Sequence, residues 1–199
     1  MTPRQRRIKR LFDVVLSTAG LLVAWPVIAA AWAAARIDTG ESGFFRQTRV
    51  GRDGKLFEVI KIRTMRPVQG VETTVTTRDD MRITPTGRFL RRCKIDELPQ
   101  LWNVLRGEMS LVGPRPDVPG FADRLEGEDR IVLSVAPGIT GPATLKYRNE
   151  EELLAGREDP ERYNREVIWP DKVRINKEYI RSWSLAKDLE ILWRTVKGA

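Results

Sequence analysis

Asp96 and Glu97 stand side by side in a stretch, Lys94 to Pro116, that reads KIDELPQLWNVLRGEMSLVGPRP. Arg88, Arg91, Arg92 and Lys94 precede the pair, and a Gly-Pro-Arg-Pro turn, Gly113 to Pro116, closes the stretch. Pro99 suits the first turn of a helix that continues to Leu105. The two carboxylates then lie at or near a helix N-terminus, where the macrodipole and free N–H groups favour anions and can also help to hold phosphate. An ordinary acidic helix start fits the same pattern. Arg115 sits between two prolines that fix the backbone on either side of it. A guanidinium on so rigid a turn suits bidentate phosphate recognition, although an idle surface arginine is equally compatible.

The composition limits the chemistry. The 199 residues hold no histidine, which removes Ser-His-Asp triads, Cys-His dyads, histidine general bases and histidine metal clusters together. Cys93 is the single cysteine, so no internal disulfide forms, in keeping with a reducing compartment. Lys and Arg outnumber Asp and Glu by 35 to 27, a net charge of +8 that suits nucleic acid, anionic lipid or phosphorylated partners.

The elements that must carry this stretch begin with a membrane-seeking segment. Arg4, Arg6, Arg7, Lys9 and Arg10 are followed by an uncharged run from Val14 to Ala35. About 20 apolar residues suffice to cross a bilayer. A cleaved signal peptide is one reading, but the run exceeds the usual apolar centre. A plain transmembrane helix is the second. The third is a re-entrant hairpin broken at Pro26, whose halves, 11–24 and 27–37, are each about 15–20 Å long and too short to cross. Basic residues on both flanks favour the same, cytoplasmic face, which a dip satisfies and a single span does not. Ser17 and Thr18 are distant candidates to serve carbonyls freed at Pro26, and Asp13 is expected to pair with Arg10 or Arg36.

Phe44 to Val50 and Leu56 to Arg63 alternate as two strands joined by a turn at Gly51-Arg52-Asp53-Gly54. Lys61 and Arg63 on the second strand are compatible with a solvated face. Residues 66–83 are polar and patternless, a loop over a site. Thr86 is expected to cap a short helix, and Leu98, Leu101, Trp102 and Leu105 to form the core stripe of the next. Ser110 to Val112 reads as a strand, Val135 to Pro142 as a rigid turn, and Ala143 to Tyr147 as another strand. Helices follow at 150–155, 159–168 and from Pro170. The last helix, Ser184 to Val196, carries an apolar stripe of Leu185, Leu189, Leu192 and Val196. Its Trp183 and Trp193 beside Lys187, Arg194 and Lys197 fit either core packing or a headgroup interface.

KIDELPQLWNVLRGEMSLVGPRP resembles the bacterial sugar transferase family, the monotopic polyprenyl-phosphate phosphoglycosyl transferases. KRLFDVVLSTAGLLVAWP is similar to that family's re-entrant membrane helix, FFRQTRVGRDGKLFEVIKIRTM to its hairpin and Lys-x-Arg-Thr-Met strand end, and SVAPGITG and DLEILWRTV also fit. The resemblance implies transfer of a sugar-1-phosphate from a UDP-sugar to undecaprenyl phosphate, with release of UMP, at the start of exopolysaccharide, O-antigen, capsule or glycoprotein assembly. It implies Mg²⁺, with Asp96 as nucleophile forming a phosphosugar intermediate and Glu97 binding or orienting the metal beside it. Arg91, Arg115 and Lys61 match family active-site positions, and Arg63 and Arg148 join them as substrate- or phosphate-binding residues. The chain departs from the family's frequent pattern at Trp25 before Pro26, at Tyr147 before Arg148-Asn149, and at Asn176.

The fold expected is α+β: a re-entrant membrane helix over 1–37, then a catalytic domain over 38–199 with a small β-hairpin and short amphipathic helices around the active site. Beside the larger members of the family it resembles, which carry extra N-terminal transmembrane helices, the chain looks like a minimal catalytic unit. The resemblance places it on the cytoplasmic face of a bacterial inner membrane, among membrane lipids and without nucleic acid, with a homodimer allowed. Two other readings stay open: a Mg²⁺-dependent phosphohydrolase using the same acidic pair, and a basic membrane-tethered binding module.

Overall fold

The computed structural model describes residues 1–66 and 80–198. Most of the expected 66–83 loop therefore lies outside the described residues. The ends of that segment meet: Met65 pairs with Ile83, and the Arg66 amide donates to the Arg82 carbonyl.

α1 (Pro3–Thr39) is one helix of 37 residues. Thr2 starts it with a reciprocal capping box to Gln5, and Gly40, at φ +74°, ends it. Pro26 lies inside the helix, which is not divided into separate halves. A proline removes one hydrogen bond and bends a helix, and the alanine-rich turns after it carry helix propensity past the defect. α1 is long and apolar enough to cross a membrane. Ser17 and Thr18 do not serve Pro26; they bond back to the carbonyls of Asp13 and Val14. Nor does Asp13 pair with Arg10 or Arg36. It accepts the Leu111 amide at 3.1 Å and lies 4.0 Å from Lys9. Arg10 instead holds the carbonyls of Val104 and Leu105, and Arg36 holds that of Gly40.

Both ends of α1 dock on the rest of the chain. Lys9, Asp13 and Ser17 are buried at one end, where Lys9 lies 2.6 Å from the fully buried Asp188. Ala31 and Ala35 are buried at the other, against Ile62 and Leu90. Between them Leu22, Val23 and Trp25 are 72%, 80% and 62% exposed, so this apolar stretch is left largely uncovered by the described residues.

β1 (Phe44–Val50) and β2 (Leu56–Ile62) form the expected antiparallel hairpin, in register from Phe44 opposite Ile62 to Val50 opposite Leu56. Asp53 takes the left-handed conformation that the tight turn requires. α2 (Pro85–Arg92) begins one turn position earlier than expected. Thr84, not Thr86, is the cap and accepts the Gly87 amide, because Pro85 is preset for the first helical position.

The acidic pair occupies a single tight turn, Ile95–Glu97, that leads through Leu98 and Pro99 into α3 (Gln100–Arg106). The expected core stripe of this stretch is corrected. Trp102 is exposed and Leu98, Leu101 and Leu105 are only partly covered, whereas Asp96, Gln100, Asn103 and Val104 are buried. Leu101 faces α1, in contact distance of Gly20. The more polar side turns inward because Asn103 serves the edge of β2: it accepts the Ile60 amide and donates to the Glu58 carbonyl.

Gly107 ends α3 in the left-handed conformation, and β3 (Ser110–Val112) follows as expected. It pairs in parallel with β4 (Gly138–Thr140), a strand inside the segment read as a turn. A Cβ on Gly138 would overlap the Gly113 backbone, so glycine at these positions permits the close approach. The expected strand from Ala143 is instead α4 (Pro142–Lys146), started by Pro142. α5 (Glu150–Ala155), α6 (Pro160–Tyr163), α7 (Trp169–Arg181) and α8 (Leu185–Lys197) complete the chain. Val59, Val104, Met109, Val112, Tyr179 and Ile180 form the main core. The α8 stripe divides: Leu185 and Leu192 pack on that core, while Leu189, Trp193 and Val196 are exposed. Trp183 is buried, and Trp193 lies under the Lys197 ammonium.

Candidate active site

Three elements converge on Glu97. Its Oε1 lies 2.6 Å from Arg115, on the turn after β3, and 3.7 Å from Lys61, near the end of β2. The turn that carries Arg115 is held by its backbone. Arg49 donates to the Pro116 carbonyl, Val50 to the Asp117 carbonyl, and Gly138 to the Pro114 carbonyl. The hairpin and β4 thus position Arg115 from opposite sides.

Burial alone would raise the Glu97 pKa, but Arg115 and Lys61 overcome it and hold the carboxylate at about 2. Lys61 falls to about 8, through burial first and then the like charge of Arg115. Asp96 moves the other way. Burial and the neighbouring Glu97 raise it, against the pull of Lys61, Lys94 and Arg91. The two adjacent carboxylates are thereby separated in proton affinity, the pattern expected of groups with different roles. Asp96 is 8% exposed, and its Oδ1 is buried with no hydrogen-bond partner among the described residues.

The remaining expected site residues fall in different places. Arg91 donates to the Thr64 hydroxyl at 3.1 Å and contributes to the field at Asp96. Arg63 turns to the Ser42 carbonyl and lies over the Phe45 ring, toward the end of α1. Arg148 donates to the Thr195 carbonyl on α8. Pro26 sits in the exposed middle of α1. A cavity of about 460 Å³ between α7 and residues 125–129 is lined by none of the cluster around Glu97.

Arg49 and Asp117 belong to this cluster and were not singled out from the sequence. Burial, then Arg115, lowers the Arg49 pKa, and burial raises Asp117 to about 6 against Lys172, Arg49 and Arg115. Nothing in a strand pattern marks Arg49. Gln100 and Asn103 had a readable signal: with Asp96 they recur at helical spacing on one side of the stretch.

Among the described residues no group of three acids, histidines or cysteines is placed to hold a metal. Mg²⁺ nevertheless suits the pair. It commonly takes one or two protein carboxylates and completes its shell with substrate phosphates and water. Glu97, kept ionised, supplies a hard anionic oxygen, with Asp96 beside it.

The sequence model of the bacterial sugar transferase family matches residues 4–199. The chain belongs to that family. The chain is 38% identical over 197 residues to the UDP-glucose:undecaprenyl-phosphate glucose-1-phosphate transferase of Escherichia coli (strain K12), covering 96% of this chain and 40% of that protein. The undecaprenyl-phosphate galactose phosphotransferase of Salmonella typhimurium is 35% identical, with 96% and 40% covered. A Caulobacter vibrioides protein named as the first is 37% identical, with 94% and 68% covered. The chain therefore spans about 40% of the length of the first two relatives.

Proposed function

We propose that the protein transfers a sugar-1-phosphate from a UDP-sugar to undecaprenyl phosphate and releases UMP, a first membrane step of glycan assembly. The observation that carries this reading is the convergence of Asp96, Glu97, Lys61 and Arg115 in a member of this family. The names of its relatives supply the lipid and the class of donor.

Asp96 is the nucleophile. An oxygen of its carboxylate attacks the phosphorus attached to the sugar. That bond forms as the bond to UMP breaks, and the electron pair leaves with UMP. An oxygen of undecaprenyl phosphate then attacks the same phosphorus, and the electron pair returns to Asp96. No proton transfer to or from the protein is needed, which fits a chain without histidine. An anion attacking an anion requires its repulsion to be cancelled. Arg115 and Lys61 lie where they can do this from one side, and Arg91 contributes at Asp96. Glu97 and Asp96 would hold Mg²⁺, which when bound supplies a Lewis acid for the phosphate oxygens. Arg63 and Arg148, directed elsewhere, are at most secondary contacts to substrate.

α1 dips into the cytoplasmic leaflet of a bacterial inner membrane and returns to the same face. Supporting this are its two docked ends, its bare apolar middle and the exposed Arg4, Arg6 and Arg7. A shallow dip is where a polyprenyl phosphate headgroup and a soluble UDP-sugar can meet.

The test is incubation with a panel of UDP-sugars, Mg²⁺ and undecaprenyl phosphate. UMP release that depends on the lipid is expected. Release without lipid would identify a phosphohydrolase, and silence across the panel would leave a binding module.

A further inference from the structure

Gln100 is 2% exposed, and its Nε2 is buried with no hydrogen-bond partner among the described residues. Leaving a buried amide donor unpaired costs free energy, so such a group calls for a reason. Four residues before it, Asp96 Oδ1 is also buried and unpartnered. One orphan is a donor and the other an acceptor.

The two share a face. The Ile95–Glu97 turn passes into α3 through Leu98 and Pro99, both in right-handed helical conformation. Residues four apart on such a path are neighbours. The buried positions of the stretch, Asp96, Gln100, Asn103 and Val104, follow that spacing. The next amide on the face, Asn103, is bonded through both its oxygen and its nitrogen. Gln100 Nε2 and Asp96 Oδ1 make no hydrogen bond among the described residues, to each other or to any other group.

We propose that Gln100 is a positioning residue for Asp96, its Nε2 donating to Oδ1 when the carboxylate turns to take the phosphoryl group. This rests on the reading of Asp96 as nucleophile. Oδ1, closed off from solvent, is the oxygen that stays inside, and Oδ2 makes the bond to phosphorus. Oδ1 is then the carbonyl oxygen of the phosphosugar adduct. In the second half-reaction the Oδ2–phosphorus bond breaks and its electron pair returns to the carboxylate. Negative charge grows on Oδ1 at that moment, and an amide N–H aimed at it strengthens in the transition state. A carboxylate oxygen has two lone-pair directions, so this contact leaves room for a cation at Asp96.

Gln100→Met keeps the length of the side chain and removes the donor. The full chain, in nanodiscs of bacterial phospholipid, is first given an accepted UDP-sugar without lipid phosphate, and the adduct is followed by intact mass. Undecaprenyl phosphate is then added. The variant should form the adduct and release it about 10–100-fold more slowly than wild type, the scale of one hydrogen bond to a charged group. The KM for the lipid phosphate should stay within about twofold. Its melting temperature should be unchanged or higher, since an unpaired buried donor has been removed. Release at the wild-type rate overturns the proposal, as does a variant that fails to fold, because both assign Gln100 to structure alone. Absence of any adduct on the wild-type chain sinks the nucleophile reading itself, and this proposal with it.

Discussion

Arg115 and Glu97 are 18 residues apart in the chain and 2.6 Å apart in space. This contact joins the rigid Pro-Arg-Pro turn to the acidic pair. Lys61 approaches the same carboxylate oxygen at 3.7 Å. Glu97 is thus paired with two cations, while Oδ1 of Asp96 next to it is buried with no hydrogen-bond partner among the described residues. The asymmetry gives two adjacent carboxylates different surroundings and opposite shifts in proton affinity.

Asp96→Asn should reduce lipid-dependent UMP release by about a thousandfold or more and abolish any phosphosugar adduct. An amide of the same shape can occupy the turn without attacking phosphorus. Intact mass and UMP assays on the same preparation decide it. An adduct that persists removes Asp96 as the nucleophile.

Arg115→Gln should cost about 100–1,000-fold in kcat/KM, because a cation facing developing phosphate charge is lost. It should also free Glu97 to rise from about 2 toward 4.5, its ordinary value. The sign follows from ionised Glu97 being the working form. Protonation then begins to inhibit at higher pH, so the acid limb of the rate profile moves up. A limb that does not move would mean that Lys61 alone sets the state of Glu97.

Asp117 has a pKa raised from 3.8 to about 6 by burial. The folded state thus prefers its neutral form. That contribution to stability is complete below about pH 3.8 and is lost as pH rises through 6. Asparagine imitates the neutral acid at every pH. Asp117→Asn should match wild type near pH 4 and exceed it by up to about 3 kcal/mol at pH 7.5, read from urea midpoints. Equal midpoints at both pH values would show that Lys172 and the arginines already cancel the burial.

Asn103→Leu should destabilise the protein by about 2–4 kcal/mol. It removes partners from the Ile60 amide and the Glu58 carbonyl, which bracket the strand leading to Lys61. Chemical denaturation in detergent micelles measures the loss. A loss below about 0.5 kcal/mol would mean that water satisfies the β2 edge equally well.

The course of α1 can be read by labelling. In a Cys93→Ser background, Arg4→Cys and Ile37→Cys place one thiol at each end of the helix, both at exposed positions. A dip predicts that an impermeant maleimide reaches both from the cytoplasmic side only. Labelling of the two ends from opposite sides would establish a full span.

The local signals in this chain were legible where one residue type acts through its own backbone. The Asp-Gly turn, Gly107 closing α3 and the strands at 44–50 and 56–62 are set by steric preferences within a few residues. The apolar length of α1 is equally local. Misreadings arose where partners came from far away. Of the side of the stretch expected to be core, Leu101 packs on the main core and faces α1, Leu98 and Leu105 are half-buried, and Trp102 is exposed. The side containing Asn103 goes inward because β2 offers it two backbone groups. Periodicity marks two faces of a helix but does not say which one the fold will cover. β4 was hidden for a related reason. A three-residue strand has almost no pattern of its own, and β3 together with glycine at 138 creates it.

By itself, the sequence determined the chemistry on offer: paired carboxylates, an arginine on a rigid turn, no histidine, and a long apolar helix beside a basic surface. Tertiary structure alone decided how those groups divide the work. It brought Arg115 and Lys61 to Glu97, left Asp96 Oδ1 and Gln100 Nε2 unpaired together, and sent Arg63 and Arg148 elsewhere. Residue type sets what a group can do in isolation. Proton affinity and reach depend on burial and on charges a few ångströms away, and those neighbours are supplied by distant parts of the chain.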